Sequence, residues 1–269
     1  MTFAQTIPDD RAVRLSMESV NFAYHGAPVL RGVDLQVRAG EVLALVGPNG
    51  CGKSTMLRVM ARLSTPTAGR VRIDGHDTGG MPRRTLARAL SLLPQSSAPP
   101  PDMLVHDMIA MGRYAHQSFL SRRSSEDETL IAQAILTMQV QSLQGRRVGE
   151  LSGGQLQRCR LAMVLAQGSD ILLLDEPTTY LDLKHQFSIL AEVRAQAAAG
   201  KAVVVVLHDF TQASLYADRI AALHAGCVVA TGTPEDVLTE DGVTEIFGVR
   251  TRMAQAHGAI FHVPREQAR

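Results

Sequence analysis

Residues 41–63, EVLALVGPNGCGKSTMLRVMARL, decide the fold. Val42, Leu43, Ala44, Leu45 and Val46 form an unbroken apolar run, the pattern of a strand buried on both faces. The run stops at Gly47, passes through Pro48, Asn49, Gly50, Cys51 and Gly52, and resumes as a helix at Lys53, Ser54 and Thr55. This is G-x-x-x-x-G-K-[ST] set between a strand and a helix, the context that gives the motif its meaning. Gly50 and Gly52 let backbone N–H groups converge on one point, and the helix N-terminus adds unpaired donors and a positive dipole end. Lys53 can then reach the β- and γ-phosphates of a nucleotide, and the Ser54 hydroxyl can ligate Mg²⁺. A glycine-rich turn that merely joins strand to helix is the plainer alternative. The flanks fit as well as the motif, so the stretch reads as a nucleoside triphosphate site.

The rest of the chain is compatible with that reading. At 269 residues it has room for a sizeable core, and 45% apolar with 20% charged residues is ordinary globular composition. A net charge of +1 argues against a general nucleic-acid binder. The pairs Arg83-Arg84, Arg122-Arg123 and Arg146-Arg147 are short and separated, and read as solvated surface. Cys51, Cys159 and Cys227 offer neither a disulfide framework nor zinc spacing and suit a reducing compartment. Cys51 sits within the phosphate loop, where a small residue fits without any redox role. The first ten residues, MTFAQTIPDD, lack a basic n-region and an apolar h-region, and no run is long enough to span a bilayer. A cytoplasmic chain that meets the membrane through a partner is expected.

Upstream of the loop, residues 13–46 alternate short β-like runs with turns. Tyr24 precedes the turn signal His25-Gly26 and has two open readings, a strand aromatic on the core or an exposed ring that stacks on a base. Downstream, residues 71–75 read as a strand, 82–88 as a helix and 90–95 as an apolar strand that ends at Pro94-Gln95. The proline-rich SSAPPP (96–101) marks a hinge or domain edge, and beyond it the pattern turns helical. Ser125-x-x-Glu128 predicts a capping box that opens an amphipathic helix with Leu130, Ile131, Ala134, Ile135 and Met138 on one side. Residues 102–150 thus read as a helical insertion in an α/β domain.

Leu151, Ser152, Gly153, Gly154 and Gln155 open another helix, with Ser152 at the N-cap and two glycines baring backbone N–H groups. This is a second anion-binding helix start in one chain. The buried strand 171–176, ILLLDE, delivers two carboxylates. Asp175 is placed to hold Mg²⁺ through water, and Glu176, expected to point the other way off the strand, to polarise an attacking water. A surface acidic pair would rarely follow four apolar residues. A helix from 183 ends at Gly200, and AVVVVLHD (202–209) reads as a buried strand ending at His208-Asp209, at the strand end where open α/β sheets put their ligands. The tail holds a hairpin, IAALH–AG–CVVATG, and a capped helix from Thr233-Pro234. Residues 244–264 read as extended, with His257 and His262 as surface residues.

Together these residues resemble the nucleotide-binding subunit of ATP-binding-cassette transporters, from about Leu15 to Val263. The matching features are Tyr24, Walker A (Gly47–Thr55), a Q-loop at Gln95, the signature LSGGQ (151–155), Walker B (Ile171–Asp175), Glu176, a D-loop (Tyr180-Leu181-Asp182) and a switch histidine, His208. The resemblance implies a P-loop NTPase with a RecA-like parallel-sheet core, an N-terminal antiparallel β subdomain and a helical insertion. It implies one nucleotide-binding domain over 13–263, a helical subdomain over about 96–150, and tails at 1–12 and 264–269. ATP would lie against Tyr24, residues 47–55 and, from a second copy, Ser152, Gly153, Gly154 and Gln155. Ser54, Gln95 and Asp175 would attend Mg²⁺, with Glu176, His208 and Gln95 catalytic.

The resemblance further implies a head-to-tail homodimer on the cytoplasmic face of the inner membrane. Its partners would be permease subunits received in a groove of residues 95–150 and, indirectly, a periplasmic or surface substrate-binding protein. GPNGCGKST, LLPQ, GRYAHQ (112–117), DEPTTYLDLKHQ (175–186) and VLTEDGVTEIFG (237–248) resemble the importer branch that serves iron–siderophore complexes, with haem and cobalamin systems as the alternative. Soluble cassettes of DNA repair or translation are a different class, disfavoured by the short insertion, the single cassette and the near-neutral charge.

Overall fold

Two twelve-residue strands, β1 (Val13–Tyr24) and β2 (Ala27–Arg38), begin the fold as an antiparallel hairpin turning at His25-Gly26. The computed structural model describes residues 11–95, 99–117 and 123–265. Next come β3 (Val42–Val46), α1 (Lys53–Met60), β4 (Ala68–Ile73), β5 (His76–Asp77), α2 (Arg83–Ala89) and β6 (Leu90–Leu93). The helical stretch carries α3 (Val105–Ala110), α4 (Ser125–Thr137) and α5 (Gly153–Ala166). Then follow β7 (Ile171–Leu174), α6 (Leu183–Ala198), β8 (Ala202–Val206), α7 (Phe210–Tyr216), β9 (Arg219–His224) and β10 (Cys227–Gly232). The chain closes with α8 (Pro234–Val237), α9 (Glu240–Phe247), β11 (Thr251–Ala256) and β12 (Ala259–Pro264).

The central sheet has the order β10-β9-β3-β8-β7-β6, and all its pairings are parallel except β10 on β9. Strand alternation divides its side chains between two cores. Val42, Ala44 and Val46 of β3, with Val203 and Val205 of β8, face the helices α3–α6. Leu43 and Leu45, with Val204 and Val206, face α1 and the antiparallel sheet β2-β1-β4-β5. The valines and leucines among them are almost wholly buried, and each contributes about 1.5–3 kcal/mol through its removal from water. Covering on both faces explains why these strands read as continuous apolar runs.

Three expectations need correction. The capping box of α4 is formed by Ser124 and Asp127, one residue before the predicted pair. Both registers satisfy the pattern, and Arg113 decides between them: its Nε donates to Asp127 Oδ1 at 2.7 Å in a buried ion pair. The tail is not extended throughout. Thr239 caps α9, Gly248 ends it in the left-handed region, and only then do β11 and β12 pair. His262 is half-buried rather than on the surface, bonded to Thr251 Oγ1 and the Leu238 carbonyl and packed edge-on against Phe210; His257 is exposed as expected. Arg83, Arg84, Arg123, Arg146 and Arg147 are exposed, whereas Arg122 and the first half of the proline-rich hinge (96–98) lie outside the described residues.

Candidate functional site

Four parallel strands deliver the site. The chain leaves β3 into Gly47, β6 into Pro94-Gln95, β7 into Asp175-Glu176 and β8 into Leu207-His208. Parallel pairing puts these exits at one edge of the sheet, where α/β folds place ligands.

Gly47 is needed at the first exit. Its φ is +149°, and a Cβ there would lie 2.2 Å from the Leu223 carbonyl oxygen of β9. Beyond it the loop wraps the buried Lys53 ammonium, which donates to the carbonyls of Gly47 at 2.8 Å and Pro48 at 2.9 Å. Gly52 is the N-cap of α1 and has no side chain to offer, so the first-turn N–H groups have no side-chain cap. Cys51 is buried beside Lys53, and burial pushes its thiol up from the ordinary value, against the thiolate that redox chemistry requires.

Ser54 Oγ donates to Asp175 Oδ1 at 3.2 Å. Asp175 is only 4% exposed, and burial raises its pKa; the Ser54 bond opposes the rise, Glu176 adds to it, and the Gln95 N–H opposes it again. These are hard oxygen donors, and Mg²⁺ binds through one or two carboxylates together with substrate phosphates. The set therefore fits Mg²⁺ carried by a nucleotide. Among the described residues no group of three or more His, Cys, Asp or Glu could hold a metal without one.

Glu176 takes its direction from the backbone rather than from strand alternation. Strand β7 ends at Leu174, and Glu176 itself adopts φ +50°, a left-handed conformation that costs about 1–2 kcal/mol for a residue with a Cβ. That turn brings its carboxylate to His208, with Nε2 to Oε1 at 2.6 Å, while Thr179 Oγ1 donates to Oε2 at 3.3 Å. Burial pushes the Glu176 carboxyl up, but His208, the Gln95 side chain and Thr179 together hold it below its ordinary value. It is ionised at neutral pH. Strain at such a point is characteristic of functional sites.

Asn49, Gly50, Gly52, Lys53, Ser54, Thr55, Gln95, Glu176 and His208 line one pocket of about 450 Å³, together with Val29 of β2. Val29 was not singled out from sequence, because nothing marks an apolar strand residue that overhangs a loop. Tyr24 is exposed at the end of β1, set edge-on to Phe22 at 4.7 Å, and is not among the lining residues. It is therefore not the core-packed aromatic of the first reading.

Ser152, Gly153, Gly154 and Gln155 line a different pocket, of about 630 Å³, with Tyr180, Leu181, Asp182 and His185. Ser152 caps α5 through the Gln155 N–H, and the Gln155 side chain returns to the Ser152 N–H at 3.1 Å. Asp182 caps α6 and bonds His185 Nδ1 at 2.7 Å. The two pockets share no residue. Neither helix start completes the other within one chain.

The ABC transporter family matches residues 30–179. The chain belongs to that family. Its ATPase subunits couple ATP hydrolysis to transport, so this chain is an ABC ATPase. The ferric enterobactin transport ATP-binding protein of Escherichia coli (strain K12) is 38% identical over 90% of this chain and 89% of its own length. The hemin import ATP-binding protein of Streptomyces coelicolor is 45% identical over 82% of this chain and 79% of its own. Among solved structures, the dimeric structure of a bacterial ABC transporter cassette aligns with a TM-score of 0.74 at 27% identity, covering 82% of this chain and 98% of that one. No helix of the described residues in this ABC subunit is long and apolar enough to cross a membrane.

Proposed function

We propose that this ABC ATPase energises import of a ferric siderophore through a membrane permease, working as a head-to-tail homodimer. The observation that carries the dimer is the separation of the two pockets. The loop at 47–55 with Glu176 and His208 lies in one, and the Ser152-Gly153-Gly154 corner lies in the other. Two copies in antiparallel register close each nucleotide between the loop of one and the corner of the other.

In that sandwich Lys53 leaves the carbonyls of Gly47 and Pro48 to pair with the phosphate tail, and the N–H groups of residues 50–55 hold the phosphate oxygens. Ser54, Gln95 and Asp175 would hold Mg²⁺, which when bound would supply positive charge to offset that developing on the phosphates. Glu176, kept as a carboxylate by His208, accepts the proton of a water whose oxygen bonds the γ-phosphorus as the bond to the β-phosphate oxygen breaks. Gln95 orients that water, and Tyr24 stacks on the adenine from the rim. The nucleotide-binding domain spans 13–263, with its helical part at about 96–150 offering the permease a groove. The assembly sits on the cytoplasmic face of the inner membrane, fed by a binding protein on the far side.

The iron cargo is supported by the relatives, among them ATP-binding proteins of siderophore transport, ferric enterobactin transport and iron(3+)-hydroxamate import. Haem is the second reading, favoured by the higher identity to hemin import proteins. Proteoliposomes holding the chain and its permease test both. ATP-dependent uptake of a labelled ferric siderophore, lost in Glu176→Gln, supports the first; uptake of hemin alone overturns it.

A further inference from the structure

Helix α5 carries a buried cation that the proposed chemistry does not use. Arg160 is 6% exposed, lies two turns after the Ser152 corner, and bonds no carboxylate among the described residues. One of its nitrogens donates to the Pro94 carbonyl and another to Gln157 Oε1 at 3.0 Å, while Nε is buried without any partner. Gln157, also buried, donates onward to the Pro177 carbonyl at 3.1 Å. A guanidinium in this setting is a net cost to folding, because no opposite charge offsets its lost hydration.

Where the two bonds land explains why it is kept. Pro94 immediately precedes Gln95, which lines the same pocket as Glu176 and whose side chain and N–H act to lower the pKa of Glu176 and Asp175 respectively. Pro177 immediately follows Glu176, the residue forced into the left-handed region. One turn of α5 therefore grips the peptides flanking both groups that face the attacking water. The same helix opens with the corner that would receive the other copy's nucleotide.

We propose that Arg160 and Gln157 are positioning residues, a clamp that sets Gln95 and Glu176 from the helix bearing the Ser152-Gly153-Gly154 corner. Docking of a nucleotide on that corner is thereby felt at this chain's own hydrolytic site. The clamp rests on the proposed roles of Gln95 and Glu176, and it acts on turnover rather than on nucleotide affinity.

Arg160→Met, Gln157→Leu, the double variant and Arg160→Lys test it, with Glu176→Gln alongside. Each single variant should lower kcat about tenfold while KM and ATP affinity stay within twofold, since a displacement well under 1 Å at the reacting groups suffices. The double variant should lose no more than either single, because the pair acts as one unit. Arg160→Met should melt no lower than the parent, and Arg160→Lys should recover part of kcat through the Pro94 carbonyl. Unchanged kcat in both single variants overturns the clamp, as does a fall in kcat matched by a lower melting temperature and fewer ATP sites. If Glu176→Gln itself keeps full turnover, the proposed hydrolytic site fails and the clamp with it; if Glu176→Gln is inactive and both single variants keep the parental kcat, only the clamp fails.

Discussion

Gly47→Ala should disable nucleotide binding through a single methyl group. The added Cβ would stand 2.2 Å from the Leu223 carbonyl oxygen and 2.9 Å from Cys51 Sγ, where contacts below 3.0 Å do not occur. Going from 2.2 to 3.0 Å requires a shift of at least 0.8 Å. Leu223 cannot supply it, because β9 is held on both sides by β3 and β10. The loop must move instead, and its N–H groups lose their common focus. Charge-assisted hydrogen bonds contribute about 1.5–3 kcal/mol each, so misdirecting two costs about 3–6 kcal/mol, or roughly 10²–10⁴ in affinity. Gly75→Ala is the control. Its φ of +78° carries similar backbone strain, but nothing lies within 4 Å of the added carbon, and it is far in sequence from the loop. It should cost about 1 kcal/mol of stability and leave ATP affinity unchanged. Equilibrium binding of a fluorescent ATP analogue, with thermal unfolding in parallel, reads both. Gly47→Ala binding within twofold of the parent would refute the reasoning.

Two further perturbations probe the electrostatics. In His208→Ala, burial acts on Glu176 with its main opposing partner gone, so its pKa rises; kcat should fall about a hundredfold and the acid limb of the pH–rate profile should move to higher pH. An unmoved limb would contradict the pairing. Asp127→Ala removes the carboxylate half of the α4 capping box and leaves Arg113 buried without its carboxylate, at a cost of about 3–5 kcal/mol in urea unfolding. Burial raises the Asp127 pKa, but Arg113 and Ser124 more than reverse this and hold it low, so the stabilisation is complete above the unfolded pKa and fades as pH falls through the folded one. The parent should therefore lose stability more steeply than Asp127→Ala in acid, and parallel curves would argue against the pair.

Much of the nucleotide site was legible because its determinants are local. The β3 run, the glycines of the loop and the Ser152 cap each act within a few residues, and parallel strands buried on both faces advertise themselves by composition. What sequence missed is tertiary. The choice between Ser124 and Ser125 as the cap depends on Arg113, which approaches from another turn of the chain. The direction of Glu176 comes from a left-handed backbone, not from strand alternation. Arg160 and Gln157 look like an ordinary polar face until α5 is packed against the Pro94 and Pro177 carbonyls. Helix α9 is a different case, since Thr239 and Gly248 mark its two ends and the 3.6-residue period between them was readable.

The claim that each copy lacks half a nucleotide site meets its most direct test in Glu176→Gln. Light scattering after gel filtration with ATP and magnesium should show a dimer that returns to monomer when Ser152→Arg blocks the corner, although that second variant still binds ATP through its own loop. A monomer at saturating ATP, with parental nucleotide affinity, would contradict the account.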